Sequence, residues 1–261
     1  MSATFLQKLF GLDGQVAVIT GGLGVLGLSL AEGLASAGAT LVLAGRPQDR
    51  VEEKLQSVVG ISPKSIFCPC DATSRQSVTE LLNHTQATFG KVDMLINCVG
   101  SNSQIPYAEI PDEEWHRVVD SILMTTHLGC QVFAPAMAKQ AEGGSILNIG
   151  SVTAHLPLSR VFAYSAAKAA VVNLTKNLAR EYAPQKVRVN VLCPGFFPAE
   201  QNRKILDEER VSNILKGTPQ HRFGEPRELV AAALLLLSRN AGSYITGEDL
   251  YVDGGFTSAR F

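Results

Sequence analysis

The sequence predicts an α/β fold: a doubly wound parallel sheet of seven strands, with helices on both faces and a small lobe over one end. Three observations carry this expectation. Strand-length apolar runs recur at steady intervals, and helix-length segments separate them. Most of the runs are continuously apolar rather than alternating, the pattern of strands covered on both faces. No internal repeat or low-complexity linker divides the 261 residues, so a single domain over 1–261 is expected.

The first strand is expected over 15–20, after a short amphipathic lead-in whose Phe5, Leu9 and Phe10 would cover part of the interior. Helix 25–37, strand 40–44, helix 50–59, strand 64–69, helix 74–89 and strand 94–99 follow in alternation. A long helix is expected over 113–140, with Trp115 and Phe133 as packing residues. Strand 145–149, helix 163–182 and strand 187–193 continue the pattern. Residues 196–225 break the rhythm with many polar side chains and read as a substrate-binding insertion over the carboxyl ends of the strands. Those ends are where ligands bind in open α/β sheets. Helix 226–237 and a seventh strand, 249–252, complete the order.

The 46% apolar residues are ordinary for a soluble protein, and the formal net charge is −1. Neither nucleic acid nor a membrane surface is an expected partner. No apolar run approaches the ~18 residues of a membrane-spanning helix. The start of the chain lacks the charged, apolar and small-residue sequence of a secretion signal. Five cysteines, two of them (Cys68 and Cys70) on one face of a strand, read as free thiols in a reducing cytoplasm rather than as disulfides or metal ligands. No metal is expected.

The stretch T-G-G-L-G-V-L-G, Thr20 to Gly27, joins the first strand to the first long helix. A glycine loop in that place offers unpaired backbone N–H groups of a helix N-terminus to a pyrophosphate. Gly21 would permit the tight turn and Gly27 the close approach of helix to sheet, with Gly24, Val25 and Leu26 between them. Further along, Tyr164 and Lys168 are four apart in the helical segment A-Y-S-A-A-K-A-A and share one face. A cation beside a phenol favours the phenolate, as a general acid working near neutral pH requires. Ser151, just past the fifth strand, is placed to donate a hydrogen bond to the same substrate oxygen.

Together these residues resemble the short-chain dehydrogenase/reductase family. Its loop, T-G-x-x-x-G-x-G, is matched from Thr20 to Gly27, with Val25 at the middle glycine. The variant loop resembles that of a branch of D-mannonate oxidoreductases, also called fructuronate reductases. The resemblance implies a Rossmann-type fold and a triad of Ser151, Tyr164 and Lys168, with Lys168 also touching the nicotinamide ribose and Tyr164 beside it. It further implies cofactor contacts from Asp71 and Ala72 after the third strand and from Asn97 and Gly100 after the fourth. Pro194 and Gly195, after the sixth strand, would lie against the nicotinamide. The second strand ends in Gly45-Arg46, where family members that prefer NAD usually carry an acidic residue. Its absence, with Arg46 free to pair with a 2′-phosphate, favours NADP over NAD, with NAD still a possible cofactor. The run F-F-x-x-E-Q-N-R after Pro194-Gly195 is a second likeness to the mannonate branch. It implies a sugar-acid substrate met by Asn102, Arg160, Phe197, Gln201, Asn202 and Arg203, the guanidinium groups suiting a carboxylate and the amides hydroxyls. The C-terminal segments Ile245-Thr246-Gly247 and Val252 to Phe256 resemble the part of the family that builds a homodimer or homotetramer.

One position departs from the family. Ile122 stands where the family has an Asn that supports a helix irregularity, whose main-chain carbonyl holds a relay water beside the Lys. The departure leaves open an alternative, a catalytically impaired nucleotide-binding protein of regulatory or structural use. His127, or the backbone carbonyl at 122 alone, would otherwise complete the relay. A methyltransferase shares the open sheet and glycine loop but gives Ser151, Tyr164 and Lys168 no joint task.

Overall fold

The computed structural model describes residues 4–47, 51–198 and 208–259. Strands β1 (Val16–Thr20), β2 (Thr40–Gly45), β3 (Ile66–Pro69), β4 (Met94–Asn97), β5 (Gly144–Ile149), β6 (Val187–Pro194) and β7 (Asp249–Val252) form one sheet. Its order is β3-β2-β1-β4-β5-β6-β7, and every neighbouring pair is parallel. This is the Rossmann-type seven-stranded α/β fold that the apolar runs predict.

The period-two geometry of a strand divides each continuous apolar run between two layers. Ala17 and Ile19 join Leu41, Leu43, Met94 and Ile96 in one core, and Leu30 and Leu34 of helix α2 (Val25–Ser36) pack there. Val16 and Val18 point the other way, into a core with Leu95 and Ile146. Leu81 of α4 (Arg75–Phe89) and Phe133 of α6 (Thr125–Ala138) cover that face. The chain winds outward from β1 to β3, then returns to β4 on the other side of β1. The strand order therefore reverses between β1 and β4, opening a crevice beyond their carboxyl ends.

Two expected elements differ. The helix over 113–140 is interrupted: α5 (Asp112–Val119) runs into a widened π turn, Asp120–Met124, before α6 begins. A π turn frees carbonyls from the regular ladder, and local hydroxyls take them up. Ser121 Oγ donates to the Val118 carbonyl at 2.8 Å, and Thr126 Oγ1 to the Ile122 carbonyl at 2.8 Å. At the start of the chain, α1 (Phe5–Phe10) buries none of its residues, and Phe5 is 75% exposed. Phe5 is therefore not a cover for the core. The helix is held by its last carbonyls instead, Lys8 O by Asn240 Nδ2 at 2.6 Å and Leu9 O by Ser238 Oγ at 2.7 Å.

The long α7 (Phe162–Tyr182) lies over β5 and β6, while α3 (Val51–Val59) sits beside β3. Within 196–225 the structure shows α8, Glu208–Gly217. The final helix starts as a 3₁₀ turn, Pro226–Leu229, and continues as α9, Val230–Leu237. Arg188 fixes β6 against that helix, donating to the carbonyls of Leu236 at 2.6 Å, Leu237 at 3.0 Å and Ser238 at 3.1 Å. A cation on the carbonyl end of a helix is favourably placed, although burial lowers the Arg188 guanidinium to about 10. All five cysteines are free. Among the described residues, no helix is long and apolar enough to cross a membrane.

Candidate active site

The glycine loop closes the β1 side of the crevice. Gly21 has φ +71°, and a Cβ there would stand 2.7 Å from the Cys98 carbonyl oxygen, so a side chain is excluded twice over. A Cβ on Gly27 would strike the Gly21 carbonyl, which sets how closely α2 approaches the loop. Gly24 is the N-cap of α2 and supplies no side-chain cap. The first-turn amides of Val25, Leu26 and Gly27 therefore have no capping side chain, an arrangement that suits an anion. Val25 occupies the first helical position with its side chain half exposed, so the missing glycine does not distort the turn. Lys54 of α3, which no sequence signal singled out, donates to the Leu23 carbonyl at 2.9 Å and brings a cation to the loop.

The adenosine end lies at β2 and β3. Arg46 is exposed at the end of β2, and the space beside Gly45 is open. Thr73 hydrogen bonds hold the Asp71 carboxyl below its ordinary range, through Thr73 Oγ1 at 2.7 Å and Thr73 N at 3.0 Å, with the Arg46 charge a smaller cause. Ala72, beside it, is buried.

Asn97 turns its side chain inward. Its amide is buried inside the sheet, where Nδ2 donates to Asn148 Oδ1 at 2.9 Å and to Cys130 Sγ at 3.5 Å. It braces the end of β4 rather than presenting its side chain to the crevice. Gly100, three residues on, is exposed and lies over Ile122 and Lys168: a Cβ there would be 3.2 Å from Ile122 Cγ1 and 3.9 Å from Lys168 Nζ.

The catalytic candidates meet at the ends of β5 and β6. Ser151 and Tyr164 both open into a cavity of 560 Å³, with Asn102, Gly195 and Phe197 among its other walls. Thr153 donates twice to Ser151 Oγ, from its backbone N at 3.2 Å and from Oγ1 at 3.1 Å. A serine hydroxyl has two acceptor lone pairs and one hydrogen. With both lone pairs engaged, that hydrogen is left for an oxygen in the cavity. Thr153 was not foreseen, because only the 3₁₀ turn Val152–Ala154 folds it back onto Ser151.

Lys168 lies one helical turn beyond Tyr164, is 5% exposed, and donates to the Ile149 carbonyl at 2.6 Å. Its Nζ is 5.6 Å from the centre of the Tyr164 ring. Apolar surroundings push the nearby Cys98 thiol up to about 11, against the pull of the Lys168 charge. Pro194 ends β6, and Gly195 N donates to the Val252 carbonyl at 2.9 Å, which fixes the cavity floor against β7.

Of the expected substrate contacts, Asn102 and Phe197 line the cavity. Arg160 does not: it is exposed, in left-handed backbone at φ +61°, on the loop before α7. Gln201, Asn202 and Arg203 lie outside the described residues. Arg210 and Gln104 are cavity walls that sequence reasoning missed.

Ile122 is fully buried among Val118, Ala167, Val171 and Cys193. The widened turn persists without an Asn, held by the hydroxyls described above. The Ile122 carbonyl accepts from Thr126 Oγ1 at 2.8 Å and from the Thr125 amide, while Thr125 Oγ1 lies nearer the Ser121 carbonyl, at 2.9 Å. Those donors fill its lone pairs, so it is not an open acceptor for a relay water. His127 lines a separate apolar groove with Leu123, Met124 and Leu174 and is no substitute. Ile122→Asn is accordingly expected to destabilise the fold by ~1–3 kcal/mol through an unpaired buried amide, with no gain in the hydride-transfer rate. A thermal melt beside single-turnover kinetics checks this, and a faster chemical step in a stable variant would contradict it.

A parallel sheet with a glycine loop at its switch point, and a Ser, Tyr and Lys gathered at the neighbouring strand ends, defines a nucleotide-dependent dehydrogenase or reductase. A family model described as Enoyl-(Acyl carrier protein) reductase matches residues 24–257. The chain belongs to the short-chain dehydrogenase/reductase family and is an NAD(P)-dependent oxidoreductase. It is 34% identical to the gluconate 5-dehydrogenase of Gluconobacter oxydans (strain 621H) over 250 residues, covering 95% of this chain and 97% of that protein. It is 29% identical to the 5-keto-D-gluconate 5-reductase of Escherichia coli (strain K12), covering 97% of this chain and all of that one. Among solved structures, a gluconate 5-dehydrogenase from Burkholderia cenocepacia J2315, in complex with NADP and tartrate, superposes with a TM-score of 0.88 at 33% identity. That match covers 97% of this chain and 99% of the other.

Proposed function

We propose that this protein interconverts a ketone and a secondary alcohol on a sugar acid, with NADP(H) preferred over NAD(H). The observation that carries the reading is the shared opening of Ser151 and Tyr164 into one cavity, with Lys168 buried one turn below the phenol. The glycine cradle fits a dinucleotide pyrophosphate, because Gly21 and Gly27 leave no room for side chains and α2 has no side-chain cap. Gly100, Pro194 and Gly195 would flank the nicotinamide, Asp71 and Ala72 the adenine, and Arg46 the 2′-phosphate. When bound, the cofactor supplies or accepts the hydride.

The residues of this chain do the rest. Ser151 donates its remaining hydrogen to the substrate oxygen and orients the carbonyl. Tyr164 gives its proton to the developing alkoxide, or takes one from the alcohol in the reverse direction. Lys168 places a fixed positive charge beside that exchange and holds the cofactor ribose. Phe196, Phe197, Arg210 and Ile214 of the region 196–225 would wall the substrate.

Relatives named for gluconate and 5-keto-D-gluconate support the sugar-acid assignment. The loop and F-F-x-x-E-Q-N-R likenesses support the mannonate and fructuronate pair; both keto acids carry their ketone on the fifth carbon. Relatives named as dehydrogenases and reductases weigh against the catalytically impaired alternative. The partly exposed edge strand β7 is the expected seam of a homodimer or homotetramer, which light scattering would size.

NADPH and NADH consumption over a panel of keto acids, keto sugars and simple ketones tests the reading. Turnover of keto acids supports it; tight nucleotide binding with no turnover across the panel overturns it. Arg46→Ala is expected to weaken NADP(H) about ten- to a hundredfold, the range of a lost charge-assisted hydrogen bond, with little change for NAD(H). Titration of nicotinamide fluorescence measures both, and equal losses would show that Arg46 does not read the phosphate.

A further inference from the structure

Among the described residues, the cavity that holds Ser151 and Tyr164 has one charged wall, Arg210. The other polar side chains among its described walls are amides and hydroxyls. Arg210 belongs to the first turn of α8, the end of a helix where a cation is disfavoured. Glu208 and Glu209, just before it, are exposed and complement the helix as expected, whereas Arg210 is half-buried at the cavity. Its Nη1 donates to Gln104 Oε1 at 2.9 Å. Gln104 follows β4 by a short loop, so this contact joins α8 to the opposite rim of the cavity, 106 residues away in sequence.

We propose that Arg210 is the specificity-determining residue that receives the substrate carboxylate, and that Gln104 orients it. The proposal rests on the oxidoreductase reading above and supplies what Arg160 does not, a guanidinium inside the cavity. A guanidinium presents a planar fork of N–H donors that matches the two oxygens of a carboxylate. A guanidinium on the wall favours an anionic substrate over a neutral one of the same shape. The ketone end then rests on Ser151 and Tyr164 while the acid end is held at α8.

The probes are 5-keto-D-gluconate and D-fructuronate, both carboxylates, and L-sorbose, which carries a hydroxymethyl group where 5-keto-D-gluconate has its carboxylate. In the wild type, kcat/KM for the better acid is expected to exceed that for L-sorbose at least about tenfold. Arg210→Leu should lower kcat/KM for the acid roughly ten- to a hundredfold, chiefly through KM, and change that for L-sorbose less than about threefold. Arg210→Lys should recover part of the loss, because charge returns without the fork. Gln104→Leu should raise KM for the acid by about three- to tenfold and leave kcat near normal, a second readout should Arg210→Leu fold poorly. Equal losses on acid and sugar in Arg210→Leu overturn the proposal, as does an unchanged acid KM in both variants. A wild type that reduces L-sorbose as well as either acid overturns it while the oxidoreductase reading stands. No turnover of any carbonyl by the wild type overturns both.

Discussion

Tyr164→Phe is expected to lower carbonyl reduction ~100- to 10,000-fold, the usual contribution of a positioned general acid, while nucleotide affinity stays within about twofold. The substitution removes one oxygen and keeps the ring, so packing changes little. The ring lies partly buried on α7, and its cavity side is shared with Ser151. The phenol's task concerns charge that develops on the substrate oxygen, so its removal affects the transition state rather than the resting complex. The expected signature is a fall in kcat and kcat/KM together, with KM and the Kd for NADP(H) nearly unchanged. Ser151 still donates to the substrate oxygen in this variant, which accounts for the residual rate. Near-normal turnover in Tyr164→Phe would remove Tyr164 from the mechanism.

The scaffold of this site is legible in the sequence because it follows from local rules. Continuously apolar runs, which most of the seven are, are satisfied by strands covered on both faces, and the structure joins all seven in one parallel sheet. The positive φ of Gly21 and the tight approach at Gly27 follow from a glycine loop that must turn and then pack. The features that escaped depend on tertiary placement. The family resemblance places a helix irregularity at Ile122, but what holds the widened turn without the Asn was not foreseen. The hydroxyls of Ser121, Thr125 and Thr126, three within six residues, were the available signal. Asn97 is a cofactor contact by its likeness to the family, and only the fold shows that its side chain pairs inward with Asn148 on the adjacent β5. Arg210 sits in a polar helix that resembles any solvated one, and only the fold brings it to the cavity and to Gln104.

Lys168→Met is expected to reduce both turnover and cofactor affinity, in contrast to the selective loss in Tyr164→Phe. Methionine fills much of the space of the buried stem, so the change removes charge and donors with little cavity. In the native protein Lys168 is 5% exposed, and among the described residues its ammonium donates to the Ile149 carbonyl, at 2.6 Å. An ammonium has three donors, which leaves two for the nucleotide ribose and the region of the phenol. Losing a charge-assisted hydrogen bond should weaken NADP(H) binding about ten- to a hundredfold. Losing the fixed charge beside the proton exchange should slow the chemical step by at least a further ~100-fold. Stability has two opposing contributions. The Ile149 carbonyl is left without its side-chain donor, costing ~1–3 kcal/mol, while the desolvation penalty of a buried cation disappears. The melting temperature is therefore expected to move by only a few degrees in either direction. Single-turnover hydride transfer, nicotinamide fluorescence titration and a thermal melt on one preparation separate these effects. A variant that folds and binds NADP(H) normally but turns over slowly would leave Lys168 its electrostatic task and remove the ribose contact. One that binds weakly and, once saturated, reacts at the wild-type rate would reverse that assignment.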